Sequence, residues 1–377
     1  MKGKVLFTAS TYSHILHFHL PYIQRFHEQG WSVHVACGGP HEEVPFTDKT
    51  LDLPLKKDMW STENFRASAI LRRNILQEGY ALVSTHTSLA AFFTRLALKG
   101  LKKRPPVVNM VHGYLFDTQT SSLKRNLLLT AERWTAPQTD LLLTMNHWDY
   151  ELAKQYRLGS RIENIPGVGI DPSRIEQEAS RPRPELRADQ GLPADAFILL
   201  YAAEFSKRKG QNILIKAMEL LPQETVLVLA GGGALRQECQ ELARRLGVAE
   251  RVLFLGYVQD MAAWYAAADA AVSSSRSEGL PFNIMEAMYA GLPVVASDVK
   301  GHQDLILDGV SGLLYPYGDA CACARQITRL LESTELRHNL AEQAEIAVTK
   351  YKLSDVFPII MREYASLLPD GGNLCYT

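Results

Sequence analysis

Short runs of consecutive apolar residues alternate along the chain with longer segments in which apolar positions recur every three or four residues. In the first half the runs are KVLFTAS (4–10), WSVHVAC (31–37), ALVSTH (81–86), VVNMVHG (107–113) and DLLLTMN (140–146). Apolar runs of this length without polar alternation are typical of buried strands. A helix is expected around His17–Gln29, ending at Gly30. Strands that alternate with helices predict a parallel sheet covered on both faces.

This pattern breaks near residue 170. IPGVGIDPSR (165–174) contains two glycines and two prolines, and RPRPELRADQGLP (181–193) adds charge and further prolines. We interpret this region as an inter-domain linker followed by the entry to a second domain. Strand–helix alternation then resumes, with strands predicted in FILLYAAEF (197–205), TVLVLAGGG (225–233), RVLFLGYV (251–258), AAVSSS (270–275) and PVVASD (293–298).

The predicted fold is therefore α/β, with two doubly wound Rossmann-like domains. We expect a first domain at 1–168, a second at 169–355, and a C-terminal helix at 356–377 that crosses back to the first. Two domains also suit 377 residues, at roughly 100–200 residues each. Ligands of such sheets bind beyond the carboxyl ends of the strands. The expected site is the cleft between the domains.

Charge and cysteine content narrow the class of protein. A net charge of -1 argues against a general nucleic-acid binder. Residues 1–170 carry 20 Lys+Arg against 14 Asp+Glu, and the remainder carries 20 against 27. The basic first half is consistent with binding to an anionic membrane surface, and equally with an ordinary local imbalance of charge.

Five cysteines without CxxC spacing favour free thiols in a reducing cytosol. No apolar run approaches the roughly 18 residues of a spanning helix, and no signal peptide is expected.

Two carboxylates stand out in SEGLPFNIMEAMYAG (277–291). Glu278 lies in a Gly-Pro loop, and Glu286 lies in the second turn of a helix predicted from Phe282 to Tyr289. The free N–H groups at this helix start favour an anion such as phosphate, and carboxylates accept hydrogen bonds from sugar hydroxyls. A nucleotide sugar combines both features. A single acid that complements the helix dipole would explain Glu278 but not Glu286.

Cations and glycines supply the other parts of a diphosphate site. AAEFSKRKGQ (202–211) places three cations directly after a strand, and a diphosphate leaving group needs such fixed positive charge. AGGGALRQE (230–238) is a glycine turn that opens a helix, but it matches neither the dinucleotide fingerprint nor the P-loop. It permits close approach of a nucleotide to the backbone, and a plain strand-to-helix turn is the alternative.

The stretch SEGLPFNIMEAMYAGLPVVASD (277–298) resembles the E-x7-E signature of retaining GT-B glycosyltransferases of family 4, in the EpsD-like branch that builds bacterial exopolysaccharide and capsule repeat units. Further segments follow the family's order and spacing along nearly the whole chain: HGYLF, GVGID, the glycine loop 231–233, FLGYVQD and DGVSGLLYP. The resemblance implies a GT-B fold, with two Rossmann-like domains that face each other across a cleft.

The resemblance also implies roles for the acidic and cationic residues. Glu278 would bind hydroxyls of the donor sugar, and Glu286 would bind the ribose diol. Lys209 would bind phosphate. Glu204 stands where the family usually has an arginine, so Arg208 is either its replacement or a surface charge. The sugar and phosphate pocket would be lined by the backbone of Gly279, Leu280, Pro281, Phe282 and Asn283.

Further candidates surround the nucleotide base and the reacting centre. Gly232, Tyr257 and Val258 would lie beside the nucleotide, with a core tyrosine as the alternative. His112 would reach the donor sugar and is, with Glu278, the catalytic candidate, although many strand histidines are core residues. The first loop lacks the glycines that the family often has there. Its candidates for phosphate or acceptor contact are Ser10, Tyr12, Ser13 and His14, and a weaker one at another strand end is His302.

The function expected from these residues and the resemblance is a retaining, metal-independent transfer of a hexose or N-acetylhexosamine. The donor would be a nucleoside-diphosphate sugar, with UDP as the first candidate base, and no other cofactor is expected. The acceptor would be a polyprenyl-diphosphate-linked or other glycan. The enzyme would be cytoplasmic and peripheral on the inner face of the plasma membrane, through the amphipathic segment SSLKRNLLLTAERW (121–134). Alternatives are a nucleotide-sugar 2-epimerase of the same architecture and a catalytically inactive sugar-nucleotide-binding subunit.

Overall fold

The protein consists of two α/β units, which a computed structural model describes over residues 2–117 and 119–368. One unit comprises Met1–Gly169 and Leu353–Thr377, and the other comprises Ile170–Lys352. The chain passes from the first unit to the second after Gly169 and returns at Leu353. Cys375 lies outside the described residues.

The first unit contains a parallel sheet of seven strands in the described part of the chain. Their order across the sheet is β3-β2-β1-β4-β5-β6-β7. The strands are β1 (Lys4–Ala9), β2 (Ser32–Cys37), β3 (Lys49–Asp52), β4 (Leu82–His86), β5 (Val107–Val111), β6 (Leu141–Thr144) and β7 (Arg161–Asn164). Its helices are α1 (Tyr12–Phe18), α2 (Leu20–Glu28), α3 (Thr62–Glu78), α4 (Ser88–Leu98), α5 (Ser122–Thr135), α6 (His147–Tyr156) and, after the second unit, α16 (Leu353–Ala365).

The returning helix α16 is part of the core of the first unit. Tyr364 is fully buried, and its hydroxyl shares a hydrogen bond of 2.9 Å with the hydroxyl of Ser84 on β4. The Tyr364 ring also packs edge-on against Phe7 and Phe26. Burial of three aromatic rings contributes several kcal/mol, at about 25 cal/mol per Å² of apolar surface removed from water. This contact fixes α16 to the sheet.

The second unit repeats the architecture with a parallel sheet of six strands in the described part of the chain. Their order is β10-β9-β8-β11-β12-β13. The strands are β8 (Phe197–Ala202), β9 (Thr225–Ala230), β10 (Val252–Gly256), β11 (Ala270–Ser273), β12 (Val294–Ser297) and β13 (Leu313–Tyr315). Its helices are α7 (Ser173–Ala179), α8 (Arg183–Asp189), α9 (Gln211–Met218), α10 (Arg236–Arg245), α11 (Ala262–Ala267), α12 (Phe282–Tyr289), α13 (His302–Leu305), α14 (Ala320–Glu332) and α15 (Thr334–Val348).

The predicted α/β class with two doubly wound sheets is confirmed. Each of the ten predicted apolar segments contains one strand. The strands that the apolar pattern did not predict are β3, β7 and β13, which have four, four and three residues. Two of them, KTLD and RIEN, are edge strands with polar, exposed positions, so they lack the apolar run that marks an interior strand.

One local prediction was wrong, and one is refined by the structure. The single helix expected at His17–Gln29 is two helices, α1 and α2, that meet at His19. Pro21 lies in the first turn of α2, where its missing N–H costs no hydrogen bond, and this favours a new helix start. The region interpreted as a linker and the entry to a second domain does contain the crossing, after Gly169, and its part 181–193 forms α8 of the second unit, whose Arg187 is buried and pairs with Asp269 at 2.6 Å.

Candidate active site

The polar residues singled out in the second unit follow successive strands of one parallel sheet. Because the carboxyl ends of parallel strands lie at the same edge, these residues gather there. Glu204, Arg208 and Lys209 follow β8, the glycine loop follows β9, Tyr257 and Val258 follow β10, and Glu278 follows β11.

Glu278 forms an ion triad with Lys209, which is largely buried, and Arg208, which is half exposed. The Glu278 side chain is 7% exposed, its Oε1 accepts a hydrogen bond from Lys209 Nζ at 2.5 Å, and its Oε2 accepts one from Arg208 Nη1 at 2.7 Å. Burial alone would raise the pKa of Glu278, but the charges of Lys209 and Arg208 lower it to about 2. Glu278 is therefore ionised at neutral pH. The triad carries a net charge of +1.

The loops around the triad are held by direct backbone contact. Arg276 N–H donates to Arg208 C=O at 2.7 Å, and Glu278 N–H donates to Lys300 C=O at 3.3 Å. Gly301 has φ +83°, and a Cβ there would lie 2.8 Å from the Glu278 Cβ. Any larger residue at 301 would displace the Glu278 loop. The position of the carboxylate is thus fixed by the neighbouring loops after β8 and β12.

Glu286 lies in the second turn of α12, as predicted, and it has a partner that the sequence did not reveal. Its Oε2 accepts a hydrogen bond from the Tyr265 hydroxyl on α11 at 2.8 Å. Burial raises the pKa of Glu286 to about 7, and the charge of Asp260 acts in the same direction, although the Tyr265 bond opposes them. Glu286 therefore titrates near neutral pH. Tyr265 was missed because AAWYAA reads as an ordinary apolar helix.

The segment 279–283 forms the start of α12 and the loop directly before it. Leu280 and Pro281 are buried, whereas Phe282 and Asn283 are half-buried. Pro281 is the N-cap residue, and the first N–H groups of any α-helix have no partner within the helix. Gly279 directly follows the triad's Glu278. The segment 279–283 therefore joins the ion triad to a helix N-terminus.

A cavity of about 450 Å³ opens beside the glycine loop. It includes the predicted Gly232, Tyr257 and Val258, and Tyr257 is an exposed residue. The full lining is Ala202, Ala203, Glu204, Ala230, Gly231, Gly232, Gly233, Tyr257, Val258 and Met261. Glu204 thus lies at the cavity, while Arg208 pairs with Glu278.

The glycines of this loop have different structural roles. Gly231 has φ +145°, and a Cβ there would lie 2.1 Å from the Ala203 carbonyl oxygen, so the backbone itself requires glycine. A Cβ at Gly232 would meet nothing within 4 Å. The alternative interpretation of this loop as a plain strand-to-helix turn accounts for Gly231. At Gly232, which lines the cavity, the fold imposes no such requirement.

In the first unit, His112 directly follows β5 and lies in a cluster of histidines. Its Nε2 is 3.2 Å from Nε2 of His19, and its ring centroid is 4.5 Å from that of His14. Burial lowers the pKa of His112 well below its usual value, with smaller effects from His14 and His86. The ring is therefore neutral at physiological pH. Spacing along the sequence did not reveal this cluster because His112 is distant in sequence from His14 and His19.

The other candidates in the first loop differ in burial and in hydrogen-bond partners. Tyr12 is fully buried and its hydroxyl donates to Asp52 at 2.5 Å, so its expected contact with phosphate or acceptor was wrong. Ser13 is half-buried, and its hydroxyl donates to the Thr11 hydroxyl at 3.1 Å. The Ser10 hydroxyl bonds that of Thr87 at 2.6 Å. His14 packs edge-on against the His112 ring.

His302, the weaker candidate at the second sheet, is a core residue. It is fully buried, and its Nδ1 is 2.7 Å from the Ser297 carbonyl oxygen. Its Nε2 is 3.1 Å from the Ser273 hydroxyl. Both ring nitrogens are thus occupied by neighbouring strands, so a ligand-contacting role is not supported.

Two family models together match most of the chain. Residues 22–174 match the model described as Glycosyltransferase Family 4, and residues 182–346 match the model described as Glycosyl transferases group 1. The chain is also 33% identical over 356 residues to the putative glycosyltransferase EpsD of Bacillus subtilis, and this match covers 93% of each chain.

Solved structures resemble the fold over almost its full length. HepE of Anabaena, in complex with UDP and glucose, has a TM-score of 0.78 and 22% identity, covering 97% of this chain and 100% of that one. The sucrose-phosphate synthase of Thermosynechococcus elongatus has a TM-score of 0.79 and 22% identity, covering 97% and 99%. At this identity the likeness shows the fold. Taken with the family models and the EpsD relative, it shows that the chain is a glycosyltransferase with the GT-B fold, belonging to glycosyltransferase family 4 and resembling its EpsD-like branch.

Proposed function

We propose that this enzyme transfers a hexose or N-acetylhexosamine, with retention of configuration, from a nucleoside-diphosphate sugar to a lipid-linked glycan in bacterial exopolysaccharide or capsule synthesis. UDP is the first candidate nucleotide, because HepE, which shares the fold, was solved with UDP and glucose. The relative EpsD supports a glycosyltransferase role rather than the epimerase or inactive-subunit alternatives.

The observation that carries the proposal is the arrangement along the carboxyl edge of the second sheet. The cavity at the glycine loop suits a nucleoside, and the Glu286 carboxylate suits its ribose diol. The triad of Glu278, Lys209 and Arg208 lies at the loop that leads into α12. A carboxylate has about four acceptor positions, so Glu278 can accept sugar hydroxyls while it keeps both cations.

The positive charge at this edge favours departure of a nucleoside diphosphate. Lys209 and Arg208 exceed the charge of Glu278 by one unit, and the N-terminus of α12 adds a favourable dipole. These groups would stabilise charge that develops on the leaving phosphate. We therefore propose that transfer itself needs no divalent metal, and that His112 contacts the donor sugar.

Product analysis tests the reaction type. The chain would be incubated with UDP-glucose, UDP-galactose or their N-acetyl forms and a polyprenyl-diphosphate-linked sugar. NMR of the product should show the anomeric configuration of the donor, with the same rate in excess chelator. An inverted product would reject the mechanism. A new sugar nucleotide formed without acceptor would instead establish the epimerase.

Donor binding is expected to depend on pH through Glu286. Its pKa is raised to about 7, so it is mainly a carboxylate above that pH and mainly protonated below it. A protonated carboxyl loses part of its capacity to accept from two ribose hydroxyls. The KM for the donor should rise about tenfold between pH 8 and pH 6, one factor of ten per pH unit below the pKa.

The matched control for this titration is Glu286→Gln. The amide cannot ionise, so its donor KM should be high and nearly constant over the same pH range. Calorimetric titration of UDP against both proteins measures the effect directly. A wild-type affinity that does not change with pH, or an equal change in the variant, would contradict the assignment.

The glycine loop provides a second prediction. Gly232→Ala should fold normally, since its Cβ meets no atom within 4 Å, but the methyl group projects at the cavity and should weaken UDP binding about tenfold. Gly231→Ala should instead destabilise the protein by about 2 kcal/mol or more, because of the 2.1 Å contact with Ala203 and the positive φ. Thermal melts and UDP titrations separate the two effects.

The surface of α5 supports a peripheral membrane position. Leu123 is 84% exposed, and Leu127 and Trp134 are also exposed among basic residues of the same helix. Among the described residues, every helix is too short or too polar to cross a bilayer. An amphipathic basic helix binds anionic lipid at the interface. Vesicles with anionic lipid should therefore retain the protein, and uncharged vesicles should not.

Leu123→Glu together with Leu127→Glu should reduce this retention about tenfold or more, because two apolar contacts are replaced by charge. The control is Ile346→Glu, which changes an exposed apolar residue of the second unit. Sedimentation with vesicles measures both. Equal loss in the control would contradict a role for α5.

A further inference from the structure

Four histidines from three separate segments of the chain meet at the carboxyl edge of the first sheet. His14 lies in α1, His19 lies between α1 and α2, His86 ends β4, and His112 follows β5. One ring nitrogen from each of His14, His19 and His112 lies within 4.8 Å of the others. The glycosyl transfer proposed above uses only His112, so the convergence of the other rings on it requires a separate explanation.

The hydrogen bonding of the cluster is incomplete. His19 is fully buried, and its Nδ1 has no hydrogen-bond partner among the described residues. The buried Nε2 of His14 also lacks one there. A buried polar atom without a partner destabilises the folded protein. His14 Nε2 is therefore available to an additional ligand, whereas Nδ1 of His19 would carry the ring proton when Nε2 of that ring coordinates a metal ion.

The rings also have the protonation state that a metal ion requires. Burial lowers the pKa of His14 to about 4, and it lowers the pKa values of His19 and His112 well below their usual range. All three are neutral at physiological pH, so each keeps a ring lone pair. Neutral imidazole is a common ligand for Zn²⁺ and related divalent ions.

The spacing of the nitrogens is close to that of a tetrahedral site. With metal–nitrogen distances of about 2.0–2.1 Å, tetrahedral ligands lie about 3.3–3.4 Å apart. His19 Nε2 and His112 Nε2 are 3.2 Å apart. All three ligand nitrogens lie within 4.8 Å of one another, so a shift of at most about 1.5 Å would complete the geometry.

His86 supports the cluster without joining the ligand set. Its ring lies against that of His19 with centroids 3.6 Å apart, and its Nε2 is 3.0 Å from the Ser84 hydroxyl. This hydrogen bond anchors the His86 ring to β4. Contact with His86 therefore restricts the orientation of the His19 ring, as groups behind metal ligands commonly do.

We propose that His14, His19 and His112 bind one divalent transition-metal ion of the Zn²⁺ class, and that this ion inhibits the enzyme. Three imidazoles leave a fourth coordination position for water. The inhibition rests on the proposed function, since a metal-bound His112 cannot offer the same nitrogen to the donor sugar. Metal binding itself does not depend on that function.

Spectroscopy with Co²⁺ tests the site without reference to activity. Untagged, chelator-treated protein should bind one Co²⁺ per chain, with the strong visible absorption of a four-coordinate ion that Zn²⁺ then displaces. His19→Gln should weaken binding about 100-fold or more, because an amide is a poor ligand for these ions. Absence of one-to-one binding by the wild type would overturn the proposal.

His17→Ala is the matched control. His17 is an exposed histidine in α1 whose Nδ1 is 2.6 Å from the Ser13 carbonyl oxygen, so its loss should leave both metal affinity and transfer unchanged. Metal binding that is retained in His19→Gln but lost in His17→Ala would overturn the site. Thermal melts of each variant exclude unfolding as the cause.

Activity measurements then test the inhibition separately. For each protein the transfer rate is compared with and without stoichiometric Zn²⁺. Zn²⁺ should lower the transfer rate about tenfold or more in the wild type and in His17→Ala, and it should change the rate little in His19→Gln. Binding without inhibition would establish the site and overturn its regulatory role. If the chain transfers no sugar at all, the proposed function fails while the Co²⁺ spectrum still decides the metal site.

Discussion

Glu278→Gln is expected to lower turnover about 10²–10³-fold, the effect of removing one preorganised polar group from a transition-state site. Glutamine has nearly the same shape as glutamate but cannot form the ion pairs with Lys209 at 2.5 Å and Arg208 at 2.7 Å. It also offers only one acceptor oxygen to the donor sugar. The defect should appear in kcat with every sugar donor and acceptor that the enzyme uses.

The same substitution should destabilise the second unit. Lys209 has a side chain that is only 12% exposed, and loss of its partner leaves a buried charge unpaired. Breaking a buried pair costs about 3–5 kcal/mol, and the lower end applies because Arg208 is half exposed and can be solvated. Urea unfolding measures this cost. Reduced activity of the single variant has two candidate causes, the loss of a catalytic carboxylate and the loss of stability.

A double variant tests whether the unpaired charge of Lys209 causes the loss of stability. Glu278→Gln combined with Lys209→Met removes the unpaired charge and should recover most of the stability, since replacing a buried ion pair with apolar groups is often nearly neutral. Turnover should remain as low as in the single variant. If activity returned together with stability, neither Glu278 nor Lys209 would be needed for transfer, and the assignment of Glu278 as a catalytic group would be refuted.

The features that sequence reasoning predicted well are those encoded locally. Interior strands such as β1 and β9 are apolar on successive positions, so the run itself marks them. The loop that carries Glu278 and the helix that carries Glu286 follow from Gly-Pro punctuation and helical spacing. The edge strands β3 and β7 are polar because they are only partly covered, so their residues carry no comparable signal.

The features that were missed depend on contacts between distant residues. Tyr265 bonds Glu286 across two helices, and nothing in its alanine-rich segment marks it. His19 and His112 are 93 positions apart, yet their nitrogens are 3.2 Å apart. Only the strand order, which places β1, β4 and β5 side by side, brings these loops together. The pairing of Lys209 with Glu278 likewise requires β8 and β11 to be neighbours.

The second large effect is expected from Lys209→Met, which should lower kcat about 10²–10³-fold. Lys209 is the more buried cation of the triad, with 12% of its side chain exposed against 51% for Arg208. An electrostatic interaction is stronger where water is excluded. Arg208→Gln should therefore lower kcat only about tenfold, and the exposed Lys207→Gln should leave it within about twofold, as for surface charges in general.

Nucleotide titrations show whether Lys209 acts on phosphate or only on Glu278. If its ammonium contacts the distal phosphate, Lys209→Met should weaken UDP binding about tenfold or more and leave UMP binding nearly unchanged, because UMP lacks that phosphate. If Lys209 merely orients Glu278, both nucleotides should bind as in the wild type, although turnover still falls. Equal weakening of UDP and UMP would instead indicate a disturbed pocket, and it would contradict a specific phosphate contact. The triad geometry favours the first outcome, since Lys209 has two further N–H groups beyond the one that it donates to Glu278.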